Sequence, residues 1–180
     1  MNHTLGIWKR ELAKTRGPAS AAELRMHLHD HILPGLALYQ ELRTEGLEED
    51  AALALASSLF EALAQPYRRR LARLGRLPGF FWLLRLAMRI EMKRSFPAEG
   101  WTIEWIETSG RRIALDIHRC FYLDTLVAAG APELAPLFCR NDDLAFERMS
   151  PLVRWERTST LARGGRTCDF RFIHTSGRAE

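Results

Sequence analysis

The sequence predicts an α+β fold, in which an N-terminal helical layer packs on an antiparallel sheet of about four strands. Residues 1–99 repeat apolar side chains at helical spacing, whereas residues 100–180 contain segments in which apolar and polar residues alternate. The chain of 180 residues has the length of a single ordinary domain. We therefore expect one compact domain with a helical region (1–99) and an α+β region (100–180).

Three helices are predicted in the first region. The first begins near Ser20 and runs to about Glu45, and Pro34 should kink or split it, because a proline removes one backbone donor. Its buried face would carry Leu24, Leu28, Ile32, Leu36 and Tyr39. The second covers Leu47–Leu74. The third, Leu77–Met92, is so densely apolar that we expect a core helix with one charged ridge at Arg85 and Arg89.

Alternation in the second region predicts two hairpins. The first pairs Trp101–Ile106 with Ile113–His118 around Ser109-Gly110, and the second pairs Val153–Leu161 with Cys168–His174 around Gly164-Gly165. Two helices lie between the hairpins. One is Cys120–Ala129, and the other begins at Pro132 or Pro136 and ends near Met149.

Composition excludes several classes of protein. Hydrophobic residues make up 47% and charged residues 27%, which is typical of a globular chain rather than a disordered one. Phosphate-binding GxGxxG or P-loop motifs and the serine-hydrolase GxSxG motif are missing. There is no apolar signal segment, no membrane-length apolar run and no CxxC pair, so we expect a cytoplasmic protein without a membrane partner.

Basic residues concentrate in Pro66–Arg94, where nine of them accompany one acid, Glu91, in a chain of net charge +4. Such a cluster could attract nucleic acid or an anionic surface. A solvated helix face with partners in the acidic Glu41–Asp50 stretch explains it more simply, because no nucleic-acid-binding motif accompanies the charge. A nucleic-acid partner is therefore not expected.

Reactive side chains cluster along the second predicted strand and the helix that follows it. Strand alternation puts Asp116, His118 and Cys120 on one face, opposite Ile113 and Ile117. This face could line a site or simply meet solvent. Cys120 also opens a helix, where backbone donors and the helix dipole can stabilise a thiolate.

Arg157 is predicted to lie on the apolar face of the third strand, together with Val153 and Trp155. A buried guanidinium needs an anion. Two interpretations stay open: an internal ion pair with Asp116, Asp142 or Asp169, or capture of a substrate carboxylate.

Two further cysteines accompany carboxylates. Cys139 and Asp142 lie three residues apart on one helix face, and Cys168 and Asp169 begin the last strand on opposite faces. Cys120, Cys139 and Cys168 could together hold zinc, although isolated cysteines are more often buried hydrophobic residues. His27 and His31 share a helix face, but without an HExxH glutamate they form a weak metal motif.

These residues carry a resemblance to a known family. Asp116-Ile117-His118-Arg119-Cys120, Ala131-Pro132-Glu133-Leu134, Phe138-Cys139-Arg140-Asn141-Asp142 and Thr160-Leu161-Ala162-Arg163-Gly164-Gly165-Arg166-Thr167-Cys168-Asp169-Phe170 resemble the L-2-amino-thiazoline-4-carboxylic acid hydrolase family. The resemblance covers Gly100–His174 well and the helical half loosely. The three cysteines are also faintly similar to those of 4-vinyl-reductase-type ligand-binding domains, some of which hold zinc.

The resemblance implies an enzyme that adds water to the amidine-like carbon of a thiazoline ring and opens the ring, giving N-carbamoyl-L-cysteine. Arg157 would hold the substrate carboxylate, and Asp142 or Asp169 would transfer protons. Either Cys120 or Cys139 attacks with help from His118, or Cys120, Cys139 and Cys168 hold a zinc-bound water. We favour the thiol site and commit to no cofactor.

The small-molecule substrate could be a different cyclic amidine. A non-catalytic, sensor-like module that binds a small molecule or metal in the same three-cysteine pocket is the alternative function, and a homo-oligomer stays open.

Overall fold

The computed structural model describes residues 18–175, with side chains from residue 22 onward. Helices and a four-stranded antiparallel sheet follow one another in the chain, which confirms the predicted α+β class. The part of the chain described contains no helix that is long and apolar enough to cross a membrane.

The N-terminal helix is interrupted by a wide turn. Helix α1 (Pro18–Met26) continues into a π-helical turn, His27–Ile32, and then into α2 (Leu33–Thr44). Pro34 is the second residue of α2 and has no N–H group to bond to the turn before it, and the regular α-helix is interrupted on its N-terminal side, in line with the predicted kink or split. The irregularity lies one turn earlier, in the π-helix, a feature that occurs frequently at functional sites.

Helix α3 (Glu49–Leu74) and helix α4 (Phe80–Ser95) complete the helical layer. Helix α4 is not the core helix that its sequence predicted. It buries Phe80, Phe81 and Met88, but Leu83, Leu86 and Ile90 are more than half exposed. One face packs inward and the other is apolar and exposed, because apolar residues cover more of the helix than the fold buries.

The sheet has the strand order β1-β2-β4-β3, with every neighbouring pair antiparallel. Its strands are β1 (Trp101–Thr108), β2 (Arg112–Cys120), β3 (Val153–Glu156) and β4 (Cys168–His174). Strand β3 ends well before Leu161, the predicted end, because the backbone leaves the sheet there and forms a 3-10 turn at Leu161–Arg163. Gly164 follows this turn at φ 80°, a conformation that favours glycine.

Between the hairpins lie α5 (Phe121–Ala128) and α6 (Ala135–Phe146). The two prolines in this region have separate roles: Pro132 begins a short 3-10 turn that ends at Leu134, and Pro136 lies in the first turn of α6. Each proline therefore stands where its missing N–H group is harmless.

Two apolar clusters fill the interior. The sheet cluster contains buried residues of α1, of α4 and of all four strands, including Phe81, Ile113 and Phe172. The helix cluster joins the π-helical turn, α2, α3, α5 and α6, and includes Leu28 and Leu134. Phe121 and Tyr122, at the start of α5, contact both clusters.

The basic stretch lies on the second half of α3, on α4 and on the turn between them. Most of its arginines are exposed, and Arg85 and Arg89 lie over the rings of Trp82 and Trp105 at 4.7 and 5.7 Å. Among the ion pairs of the residues described, none joins this stretch to Glu41–Asp50. The predicted pairing with the acidic stretch is therefore wrong.

Candidate functional site

A cavity of about 610 Å³ lies between the helical layer and the sheet. All three cysteines line it, together with Asp142 and Arg157. Its walls are otherwise mostly apolar and come from the π-helical turn, every helix from α2 to α6, strands β1, β2 and β4, and the 3-10 turn at Leu161–Arg163. Five of the seven residues that the sequence nominated for the site therefore come together here.

Cys120 reaches the cavity because of a β-bulge. Thr102 pairs with Arg119 and Ile103 pairs with Ile117, so His118 is an extra residue in β2. The extra residue shifts the alternation of the strand, and Cys120 joins the cavity-lining face of Leu115 and Ile117. The prediction that Cys120 shares a face with Asp116 and His118 is wrong for this reason.

The other two cysteines lie where their sequence spacing suggested. Cys139 and Asp142 are neighbours on the cavity side of α6. Cys168 begins β4 on the same face as Phe170 and Phe172, and the backbone N–H of Leu161 donates to its Sγ at 3.2 Å.

Arg157 follows the last residue of β3, and its side chain is only 3% exposed. Its Nη1 lies 3.2 Å from Asp142 Oδ2, and its Nη2 lies 2.6 Å from both Asp143 Oδ2 and the Cys139 carbonyl oxygen. The guanidinium also stacks near the rings of Trp155 and Phe170. Of the acids named as partners in the sequence, Asp142 is the one that pairs with it.

Asp143 is a site residue that the sequence reasoning missed. Besides pairing with Arg157, it accepts a hydrogen bond from Trp155 Nε1 at 3.1 Å. Its position directly after Asp142 could have indicated this role, because two adjacent acids on a helix can both form ion pairs with one arginine.

Burial in the cavity wall raises the pKa of Asp142 to about 6, against the lowering effect of Arg157. The side chain is 42% accessible and lines the cavity, so solvent in the cavity reaches the carboxylate. A carboxyl group of this pKa is ionised at neutral pH and can also accept and return a proton there.

The thiols are less acidic than usual. Burial raises the pKa of Cys120 to about 11, although backbone N–H groups at the start of α5 lower it. Burial and the Asp142 carboxylate raise the pKa of Cys139 to about 12, and burial also raises the pKa of Cys168. All three are therefore neutral thiols at neutral pH.

A buried hydrogen-bonded pair, Tyr122 and His27, stands beside the thiols and was not predicted. His27 Nε2 lies 2.7 Å from the Ser95 carbonyl oxygen, which can only accept, so His27 Nδ1 accepts from the Tyr122 hydroxyl at 2.9 Å. Burial lowers the pKa of His27 and raises that of Tyr122. His27 lies on the apolar face of the first helix, which was the signal for a buried role, and both of its nitrogens are engaged.

Two nominated residues lie outside the cavity lining. His118 is exposed, and its Nε2 lies 2.8 Å from Glu104 Oε2. Asp169 accepts hydrogen bonds from the backbone of Thr158 and Ser159 and from the Thr158 hydroxyl, which lower its pKa. Asp169 therefore holds the loop that leaves β3.

The three cysteines of the hypothetical zinc set are not arranged as metal ligands. Within residues 18–175, no group of three or more His, Cys, Asp or Glu side chains is arranged to hold a metal ion. The three thiols face one cavity but do not form such a group, and the His27 and His31 pair does not either.

Comparison with known proteins gives one match. The family model described as L-2-amino-thiazoline-4-carboxylic acid hydrolase matches residues 25–172 of the 180. Searches of curated proteins and of solved structures find no significant match. The match spans the helical layer and the sheet, including every residue that lines the cavity. The chain belongs to the L-2-amino-thiazoline-4-carboxylic acid hydrolase family.

Proposed function

We propose that the protein is a hydrolase that opens a carboxylate-bearing cyclic amidine of the thiazoline type. The family name supports the hydrolase class. The observation that carries the proposal is the Asp142–Arg157 pair in the wall of an otherwise mostly apolar cavity. A 2-amino-thiazoline-4-carboxylate has a basic amidine and a carboxylate, so its two charged ends match the two members of this pair.

In the proposed reaction, water attacks the ring carbon between nitrogen and sulfur. Asp142 accepts a proton from this water and passes it to the ring nitrogen, and a tetrahedral intermediate that carries the added hydroxyl group forms. The carbon–sulfur bond then breaks, the added hydroxyl becomes the carbonyl of the urea group, and Asp142 transfers the hydroxyl proton to the departing sulfur. One water is consumed and one ring is opened, so the atoms balance.

Other residues of the cavity have supporting roles in this proposal. Arg157 orients Asp142 and shares its guanidinium with the substrate carboxylate. Asn141 also lines the cavity, and its Oδ1 has no hydrogen-bond partner among the described residues, so an amidine N–H is a suitable donor for it.

Water is the preferred nucleophile because the thiols are neutral and His118, which could activate one, does not line the cavity. Attack by Cys139 would require its proton to pass first to the neighbouring Asp142. This covalent alternative predicts a protein adduct, which mass measurement of the intact chain would detect.

The test is incubation of the purified protein with 2-amino-thiazoline-4-carboxylate. We expect a product heavier by one water together with a new thiol, both lost in Asp142→Asn and kept in Glu147→Gln, an exposed acid just after α6. Product formation that is unchanged in Asp142→Asn would contradict the assigned role.

A binding module without turnover is the second candidate, favoured by the neutral thiols and the mostly apolar cavity lining. It predicts that a bound ligand raises the melting temperature while no product forms from any cyclic amidine.

A further inference from the structure

We infer that the ligand of the cavity carries an apolar body attached to its polar ring, which makes the substrate an amphiphilic cyclic amidine. The identity of the polar ring rests on the proposed function. The apolar body is inferred separately, from the size and lining of the cavity.

The cavity is much larger than the polar group needs. Its volume of about 610 Å³ falls in the range of clefts that enclose drug-sized ligands, roughly 300–1,000 Å³. A five-membered ring with an amino group and a carboxylate fills only a small part of that space. The remaining space would hold water that bonds loosely because the wall is apolar. Displacement of this water by an apolar group is favourable.

The polar lining residues concentrate on α6 and just after β3, with Asp30 and His31 of the π-helical turn in addition. Cys139, Asn141 and Asp142 lie on α6, and Arg157 follows β3. Helix α4 and the residue after it contribute only apolar side chains, Met88, Met92 and Phe96. The polar ring therefore binds against α6, and the apolar body extends towards α4. The two methionines suit this role because their flexible, polarizable side chains adapt to ligands of varied shape.

Three probes test this inference: thiazoline-4-carboxylates with a methyl, butyl or octyl group on the ring carbon between nitrogen and sulfur. They keep the ring and the carboxylate but carry no amidine, so their binding can be measured by calorimetry separately from turnover. Each buried methylene should tighten binding about fourfold, so the butyl probe should bind roughly 60-fold more tightly than the methyl probe. Equal affinities across the three probes would overturn the inference.

A pair of variants on α4 locates the apolar body. Met92→Trp fills space on the cavity side, whereas Ile90→Trp adds the same group on the outer face, where Ile90 is 57% exposed. We expect Met92→Trp to remove the gain from the octyl group without weakening the methyl probe, and Ile90→Trp to change neither. An octyl gain that survives Met92→Trp and disappears in Ile90→Trp would place the chain on the outer surface and overturn the inference.

Failure of this inference and failure of the proposed function give different results. Turnover of 2-amino-thiazoline-4-carboxylate with no dependence of binding on alkyl length would refute the apolar body alone. Strong dependence on alkyl length, with no product from any amidine, would refute the hydrolase alone.

Discussion

Asp142 is the residue whose protonation state decides what the cavity can do. Two opposing effects act on it: burial favours the neutral acid, and Arg157 favours the carboxylate. Burial is the larger effect, and the pKa of Asp142 rises to about 6. The carboxyl group is thus ionised at neutral pH, yet it binds a proton much more readily than an exposed aspartate does.

A general base with this pKa predicts the pH dependence of turnover. The ionised form is the active one, so kcat/KM should rise with pH up to about 6 and stay level above it. Asp142→Asn should lower turnover at least about 100-fold, the usual contribution of a general base. The measurement is a pH profile of product formation from pH 4.5 to 8.5. It is recorded for the wild-type protein and for two single variants of adjacent aspartates, Asp142→Asn and Asp143→Asn. A wild-type profile that is flat through pH 6 would exclude Asp142 as the base.

Arg157 illustrates what residue types alone could predict. The strand that was predicted to hold it ends one residue earlier, but its predicted place among apolar residues correctly indicated that the guanidinium is buried and needs an anion, and Asp142 was among the predicted partners. The contacts of the guanidinium with Asp143 and with the Cys139 carbonyl oxygen depend on how α6 packs on the sheet. The pattern of residue types does not encode this packing.

At the scale of elements, one inserted residue in β2 decides which way Cys120 faces. The bulge at His118 puts two consecutive residues on the outer face before the strand resumes its alternation. Regular alternation, which was the basis of the sequence prediction, fails at this residue. Nothing in the residue types of this strand marks the insertion, because it is fixed by the pairing with β1.

Deleting His118 should restore regular alternation and keep Cys120 on the cavity side, because Arg119 would then be the one outward residue between Ile117 and Cys120. In the wild-type protein the raised pKa of Cys120 should make its alkylation by iodoacetamide at pH 8 on the order of 100-fold slower than that of free cysteine. The deletion should leave that slow rate unchanged, and so should His118→Ala, which keeps the bulge. Peptide mapping identifies the labelled cysteine, and markedly faster labelling of Cys120 in the deletion variant would contradict this account of the bulge.

The elements themselves were largely predictable. Helical and alternating spacing gave the α+β class, the two helices between the hairpins and the antiparallel pairing of the strands. The π-helical turn was not predicted, because a turn widened by one residue leaves the apolar spacing nearly unchanged. The exposure of α4 was also missed, since the density of apolar residues does not tell which face another element covers.

At the scale of the whole molecule, the sheet cluster and the helix cluster meet at Phe121 and Tyr122. The cavity is lined by residues of both clusters, so the site depends on how the two are held together. The division at residue 99 that the sequence suggested does not separate them, because Leu24 of α1 belongs to the sheet cluster and Leu134 of the C-terminal half belongs to the helix cluster.

We predict that the two clusters unfold together. Leu28→Ala in the helix cluster and Ile113→Ala in the sheet cluster remove fully buried side chains, so each should lower the free energy of unfolding by about 2–5 kcal/mol. Leu86→Ala, on the exposed face of α4, should change it by less than about 0.5 kcal/mol. Urea unfolding followed by tryptophan fluorescence and by far-ultraviolet circular dichroism should give coincident single transitions. Two separate transitions would show that the domain is not a single cooperative unit.

The site as a whole was only partly predictable. Cysteines and carboxylates are conspicuous in a sequence, and the three thiols, Asp142 and Arg157 do line one cavity. His118 and Asp169 were equally conspicuous but serve surface and loop contacts. The volume and the apolar lining of the cavity arise from side chains of many distant segments, so only the folded chain reveals them.

The enclosure of Arg157 has a consequence for behaviour in concentrated electrolyte. Mobile ions weaken attractions between charges that they can approach, and at 1 M ionic strength the screening distance is about 3 Å. Pairs on the surface such as Arg119 with Asp124, each about half exposed, are open to this weakening. The contact of Arg157 with Asp143 lies beneath the surface. A salt concentration that weakens the surface ion pairs should therefore leave the ion pairs in the cavity wall intact.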